Sequence, residues 1–160
     1  MEALTAEDLT GEVGAALLAL NNAHAQELSW LEPAKLAAMV DEAFLARRVG
    51  QGDALLIAFD QDAAYDSPNF LWFRARYDRF VYVDRIVVAE KARGRGLAKA
   101  LYLELFAAAR SAVHARVVCE INADPPNPAS DAFHAALGFA EVGAAVLQGG
   151  KAVRYFERAV

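Results

Sequence analysis

Apolar positions recur along this chain at two spacings. Glu12 to Ala25 and Glu32 to Phe44 are alanine- and leucine-rich with helical periodicity, and Pro33 suits the first turn of the second helix. Leu45 to Val49 and Ala54 to Phe59 read as short strands across the turn at Gly50 to Asp53. Phe80 to Val88 is the strongest strand pattern, and Leu97 to about His114 follows as an amphipathic helix with Leu97, Leu101 and Leu105 on its apolar face. Arg116 to Asn122 is a further strand, Ala129 to Leu137 a helix closed by Gly138, and Ala140 to Leu147 and Ala152 to Arg158 a hairpin around Gly149 and Gly150. Asp60 to Arg79 is too long for a tight turn and too aromatic for a linker, so it is expected as a packed loop with a short helix from Pro68.

A strand, helix and strand in succession around Gly94 and Gly96 imply a parallel pair with a right-handed crossover inside an otherwise antiparallel sheet. The expected fold class is therefore mixed α/β (α+β), as one domain over residues 1–160. With 56% apolar and 23% charged residues the chain can bury a real core. Its net charge of −5 argues against a general nucleic-acid surface, so the basic cluster at Lys91, Arg93, Arg95 and Lys99 is local. The single cysteine, Cys119, excludes an internal disulfide and alternates with Val117 and Ile121, the pattern of a core residue. The acidic first residues lack the positive flank of a signal peptide, and no apolar run is long enough to span a bilayer. These features lead to the expectation of a cytoplasmic protein with no membrane partner.

The basic cluster sits where the strand ending at Val88 passes into the helix starting at Leu97. Glycines let backbone approach an anion there, and the unpaired N–H groups of a helix N-terminus point at it. Spacing excludes two common phosphate motifs: GxGxxG would need glycine at position 99, which is Lys99, and GxxxxGK[ST] is absent. What remains is RxxGxA at Arg93, Gly96 and Ala98, followed downstream by Asn127-Pro-Ala-Ser-Asp-Ala-Phe-His-Ala-Ala-Leu-Gly-Phe139. The first resembles the acyl-CoA loop [QR]xxGx[GA] of the GNAT superfamily of N-acetyltransferases. The second resembles that family's NxxAxx[LF]YxxxGF segment, with Ser130 for Ala and His134 for Tyr. The resemblance spans Phe80 to Phe139 and is looser before Asp53, where a first family strand would fall near Glu2 to Thr5.

The resemblance implies a GNAT-type, mostly antiparallel sheet with flanking helices, in which two parallel strands splay apart. It implies acetyl-CoA as acyl donor, direct transfer to a primary amine, and no metal; His24 and His114 have no partner cluster for one. Carried over by position, Ile86, Val87 and Val88 would offer strand backbone to the pantetheine. Arg93, Gly94, Arg95, Gly96, Leu97, Ala98 and Lys99 would cradle the pyrophosphate, with Asn127, Ser130 and Phe133 also against the donor. Asn127, before Pro128, is equally suited to cap the helix.

An alkylamine with a pKa near 10.4 is only about one part in 10³ neutral at pH 7, a penalty of roughly 4–5 kcal/mol that a base would relieve. Two carboxylates compete for that work. Asp84 occupies the strand position where relatives often carry an acid, with Tyr82 and Ile86 as alternation partners; its other reading is an ion pair with Arg85, Arg74 or Arg79. Glu120 is the second candidate, against a structural carboxylate at a strand end. His134 stands where relatives place an acidic tyrosine, and Asp131 one turn earlier could hold it charged; the competing reading is a solvated helix histidine, with Tyr82 a substitute acid.

The family's acceptors enter between the first helices and the late strands. Here that recruits Asn22, Glu27 and Trp30, with Tyr65, Asp66, Asn69, Trp72 and Tyr77 from the long loop, against the alternative that the aromatics seal the sheet. The acceptor is a small-molecule or peptide amine, and a homodimer is left open because dimers are frequent in the family. The reading from a different class is a non-catalytic acyl-CoA sensor on the same fold.

Overall fold

The computed structural model describes residues 1–160. A seven-stranded sheet runs in the order β1-β2-β3-β4-β5-β7-β6, with β1 at Glu2–Ala3, β2 at Leu45–Val49, β3 at Ala54–Asp60, β4 at Val81–Val88, β5 at Arg116–Asp124, β6 at Ala140–Val146 and β7 at Ala152–Ala159. Every neighbouring pair is antiparallel except β4 with β5. β1, barely visible in the sequence, is a two-residue edge strand on β2.

Two apolar layers enclose the sheet. Leu55, Ile57 and Phe59 of β3 face α1 (Glu12–Ala23), α3 (Pro33–Glu42) and α4 (Pro68–Arg74), which contribute Leu17, Leu36, Met39, Phe70 and Phe73. Ala54, Leu56 and Ala58 face α5 (Leu97–Ser111), which contributes Leu101, Tyr102, Leu105 and Phe106. This doubly covered strand explains the unbroken apolar run in its sequence. α6 (Pro128–Ala136) lies on the α5 side through Phe133. No helix is long and apolar enough to cross a membrane.

Two helix ends fall earlier than their periodicity suggests. The first helix stops at Ala23, and a short α2 (Ala25–Leu28) follows His24. The break follows from Asn21 and Asn22, whose side chains turn to loop backbone: Asn21 Nδ2 donates to the Ser29 carbonyl, and Asn22 Oδ1 accepts from the Leu31 N–H. α5 ends at Ser111 because Val113 takes φ 61° and the His114 N–H turns back to Ala109.

β4 carries the feature that shapes the site. Ile57 pairs with Arg85 and Ala58 with Val83, so Asp84 has no partner on β3 and forms a bulge. The extra residue reverses the alternation. Tyr82 packs on the α1 side and Val83 on the α5 side, but beyond the bulge Val87 is on the α1 side and Ile86 on the α5 side. The expected sharing of one face by Tyr82 and Ile86 is thereby corrected. β4 and β5 pair only at Val81 with Val117 and Tyr82 with Val118. Beyond those pairs the strands diverge and leave β4 backbone free along the gap.

Candidate active site

At one end of the gap stands the glycine loop. Gly94 and Gly96 have φ of 77° and 72°, and a Cβ on either would meet nothing within 4 Å, so the backbone conformation rather than space requires glycine. Gly96 precedes α5, and no side chain caps that helix. Its first N–H groups are left for an anionic ligand.

The four loop cations are not equivalent. Arg95 and Lys91 both reach Asp53, at 3.0 and 3.4 Å, and the Arg95 hydrogen bond foremost holds that carboxyl below its ordinary range. Arg93 instead meets His24 Nε2 at 3.3 Å. His24 Nδ1 faces the Leu20 carbonyl, so it carries the ring proton and Nε2 is the acceptor. Lys99 forms no ion pair.

From this loop a cavity of about 370 Å³ runs past Val88 and Phe133. It continues as a groove of about 460 Å³ between Ile86–Val88 on one wall and Leu28, Asn127 and Ser130 on the other. The groove ends in a chamber of about 110 Å³ bordered by Asp84, Glu120, Tyr102 and His134. Phosphate loop, free strand edge and chamber form one path, which fits an elongated phosphorylated thioester with its anionic end at the loop. Asn127 Oδ1 accepts from the Ser130 N–H as the cap of α6, while its amide nitrogen remains available to the groove.

The two carboxylates in the chamber have opposite surroundings. Asp84 accepts from the Arg85 guanidinium at 2.7 Å and from the Tyr65 hydroxyl at 2.6 Å. Arg85 is buried and also donates to Asn21 Oδ1 at 2.6 Å. Of the three arginines expected as partners, only Arg85 serves. Glu120 has a shielded Oε2 without a hydrogen-bond partner. Burial first and the Asp84 charge second push its carboxyl up to about 7, against the opposing effects of the Tyr82 hydroxyl and Lys151.

His134 is buried rather than solvated. Its Nδ1 lies 2.8 Å from the Ser130 carbonyl and its Nε2 2.7 Å from the Tyr102 hydroxyl. The carbonyl fixes the proton on Nδ1, so Nε2 accepts from Tyr102. Burial lowers the His134 pKa, and Asp131 pairs with Arg154 instead of holding the ring charged. The expected Asp131 partnership is therefore corrected.

The residues expected at the acceptor end do not form one pocket. Glu27 borders the chamber and Tyr65 holds Asp84. Asn69 accepts from Tyr155, and Trp72 stacks on that ring at 4.1 Å, where it fills the space a Cβ on Gly143 would need. Trp30 is 64% exposed and donates to Glu32; Asp66 is exposed. Sequence reasoning missed Tyr102, read only as one apolar residue of its helix, and the Arg85–Asn21 link, whose signal was a polar pair at the end of an apolar helix.

Comparison with known proteins agrees with this architecture. No curated protein sequence matches the chain. Ard1 from Thermoplasma volcanium superposes with a TM-score of 0.73 at 14% identity, covering 99% of this chain and 95% of its own. A ribosomal-protein-alanine N-acetyltransferase from Brucella melitensis gives 0.69 at 21%, covering 99% and 98%. Arabidopsis thaliana NAA60, solved with acetyl-CoA, gives 0.68 at 17%, again covering 99% and 98%. The sequence profile of the Acetyltransferase (GNAT) family matches residues 37–139, from α3 to the end of the Asn127 to Phe139 segment. With that match over well more than half its length, the chain belongs to the Acetyltransferase (GNAT) family.

Proposed function

We propose that the protein transfers an acetyl group directly from acetyl-CoA to a primary amine, with Glu120 as general base. The carrying observation is Glu120 itself: a carboxylate with an unpartnered oxygen at the end of the donor groove, with a pKa of about 7. At neutral pH about half of it is ionised, so it can take a proton from an arriving ammonium without being too weak a base. Asp84 is already engaged by Arg85 and Tyr65. It acts as a fixed negative charge that keeps Glu120 basic.

Bound acetyl-CoA would supply an activated acyl carbon and a thiol leaving group. The amides opening α5, with Arg93 and Lys99, would hold its phosphates, and the free β4 backbone beyond Tyr82 would align its chain. On the sulfur side the Tyr102 hydroxyl, oriented by His134, is the donor available to the developing negative charge. Burial raises the Tyr102 pKa well above that of ordinary tyrosine. Its contribution is a hydrogen bond, with the final proton coming from solvent.

The test is thiol release from acetyl-CoA across a panel of primary amines, with calorimetric titration of the donor alongside. Turnover that collapses in Glu120→Gln while donor affinity holds supports the assignment. Tight donor binding without turnover on any amine would replace it with the sensor reading.

A further inference from the structure

Beside the chamber lies a second cavity of about 310 Å³, bounded by α2 on one side and the β5–α6 connection on the other. It shares Glu27, Asn122 and Asn127 with the chamber, and Gln26 and three prolines complete its wall. It is separate from the phosphate loop, so an acceptor can occupy it while the donor fills the groove.

The chemistry of this wall is one-sided. No lysine, arginine or histidine lines the cavity. The only arginine at the chamber is Arg85, whose guanidinium is committed to Asp84 and Asn21. Glu27 is exposed and forms no ion pair, and beyond it stands the unpartnered Oε2 of Glu120. An entering ammonium therefore passes from one carboxylate to the next. A carboxylate attached beside that ammonium would meet like charges and find no free cation, which excludes it by repulsion and lost solvation.

A neutral amide in the same place is matched. Gln26, Asn122 and Asn127 each present side-chain amide groups that donate and accept, and the spare NH₂ of Asn127 is left over from its capping bond. Pro125, Pro126 and Pro128 have no N–H, so the wall offers peptide carbonyls for a guest N–H.

We infer that this cavity is the acceptor entrance and that it selects an amine one carbon from an amide, as at the N-terminus of a peptide chain, over a free amino acid. The inference rests on the acetyltransferase reading and narrows it to one class of acceptor.

The experiment compares alaninamide, alanine and propylamine as acceptors with acetyl-CoA, each kcat/KM corrected to the neutral-amine fraction. Alaninamide should exceed both others by about tenfold or more. Gln26→Lys, an exposed position touching this cavity and not the donor groove, supplies the missing cation and should narrow the gap between alaninamide and alanine several-fold. Equal or better use of alanine overturns the selection against carboxylates, and equal use of propylamine overturns the amide subsite; either result leaves the acetyltransferase standing. An unchanged gap in Gln26→Lys would place the entrance elsewhere. Donor binding without thiol release on all three amines and on a tripeptide would remove both readings together.

Discussion

The two ends of the cleft are built on different principles. The phosphate end comes from one stretch of chain, Val88 to Lys99, and its chemistry is mostly backbone: two left-handed glycines and an uncapped helix start. The chamber is assembled from α1, α2, β4, β5, α5 and α6, and its chemistry lies in side chains whose properties come from their neighbours. Glu120 would be an ordinary carboxylate without its burial and the adjacent Asp84. The first end tolerates changes in surrounding side chains but not in backbone conformation, and the second the reverse.

Four variants sharpen that contrast. Glu120→Gln should lower kcat/KM by about 10²–10⁴ while leaving acetyl-CoA affinity intact. The same variant has a stability signature. The folded state holds the Glu120 proton up to about pH 7 and the unfolded chain releases it near 4.5, so the protein loses stability as pH rises between those values. Glu120→Gln does not share that loss, and its melting temperature should overtake that of the unmodified protein at pH 8 but not at pH 4.

Gly96→Glu should weaken acetyl-CoA by about 10²–10³. The left-handed backbone costs about 1–2 kcal/mol for a residue with a Cβ, and the new carboxylate opposes the phosphates. A folded variant with normal affinity in calorimetry would break the assignment of the loop.

Asp84→Asn should act only on the chamber. Asp84 raises the Glu120 pKa. Its removal, with the Arg85 cation left behind, should move the acid limb of the kcat/KM profile to lower pH, by on the order of one unit. Asp84→Glu, which restores the charge, should bring the limb back; a limb fixed in both variants would mean that Asp84 does not tune the base.

Asp53→Ala should have the smallest effect and the opposite sign. It frees Lys91 and Arg95, so acetyl-CoA should bind about two- to fivefold tighter at low salt, with the gain shrinking as salt rises.

The same contrast explains what could be read before any coordinates. The loop, the order of most elements and the splayed parallel pair were legible because turn chemistry and periodicity are local. The choice between Asp84 and Glu120 was not, because it depends on Arg85 and Tyr65 reaching one carboxylate and nothing reaching the other. His134 could be placed on its helix, but its neutral tautomer required Tyr102 from a helix about thirty residues away and the carbonyl of Ser130. The break at His24 was hidden because Asn21 and Asn22 disturb a helix only where loop backbone is present to receive them.

The unpaired residue in β4 has a consequence separate from its charge. Position 84 works as a spacer as well as an acid. Removing it would put the two halves of the strand back in phase, turning Arg85 and Val87 toward α5 and Ile86 toward α1. A buried guanidinium would then enter an apolar layer and lose Asn21, and the strand would be free to zip against β5 along the gap that now admits a ligand. At this site the number of residues matters before their identity does: any side chain at 84 keeps the cleft open, while a one-codon deletion would close it.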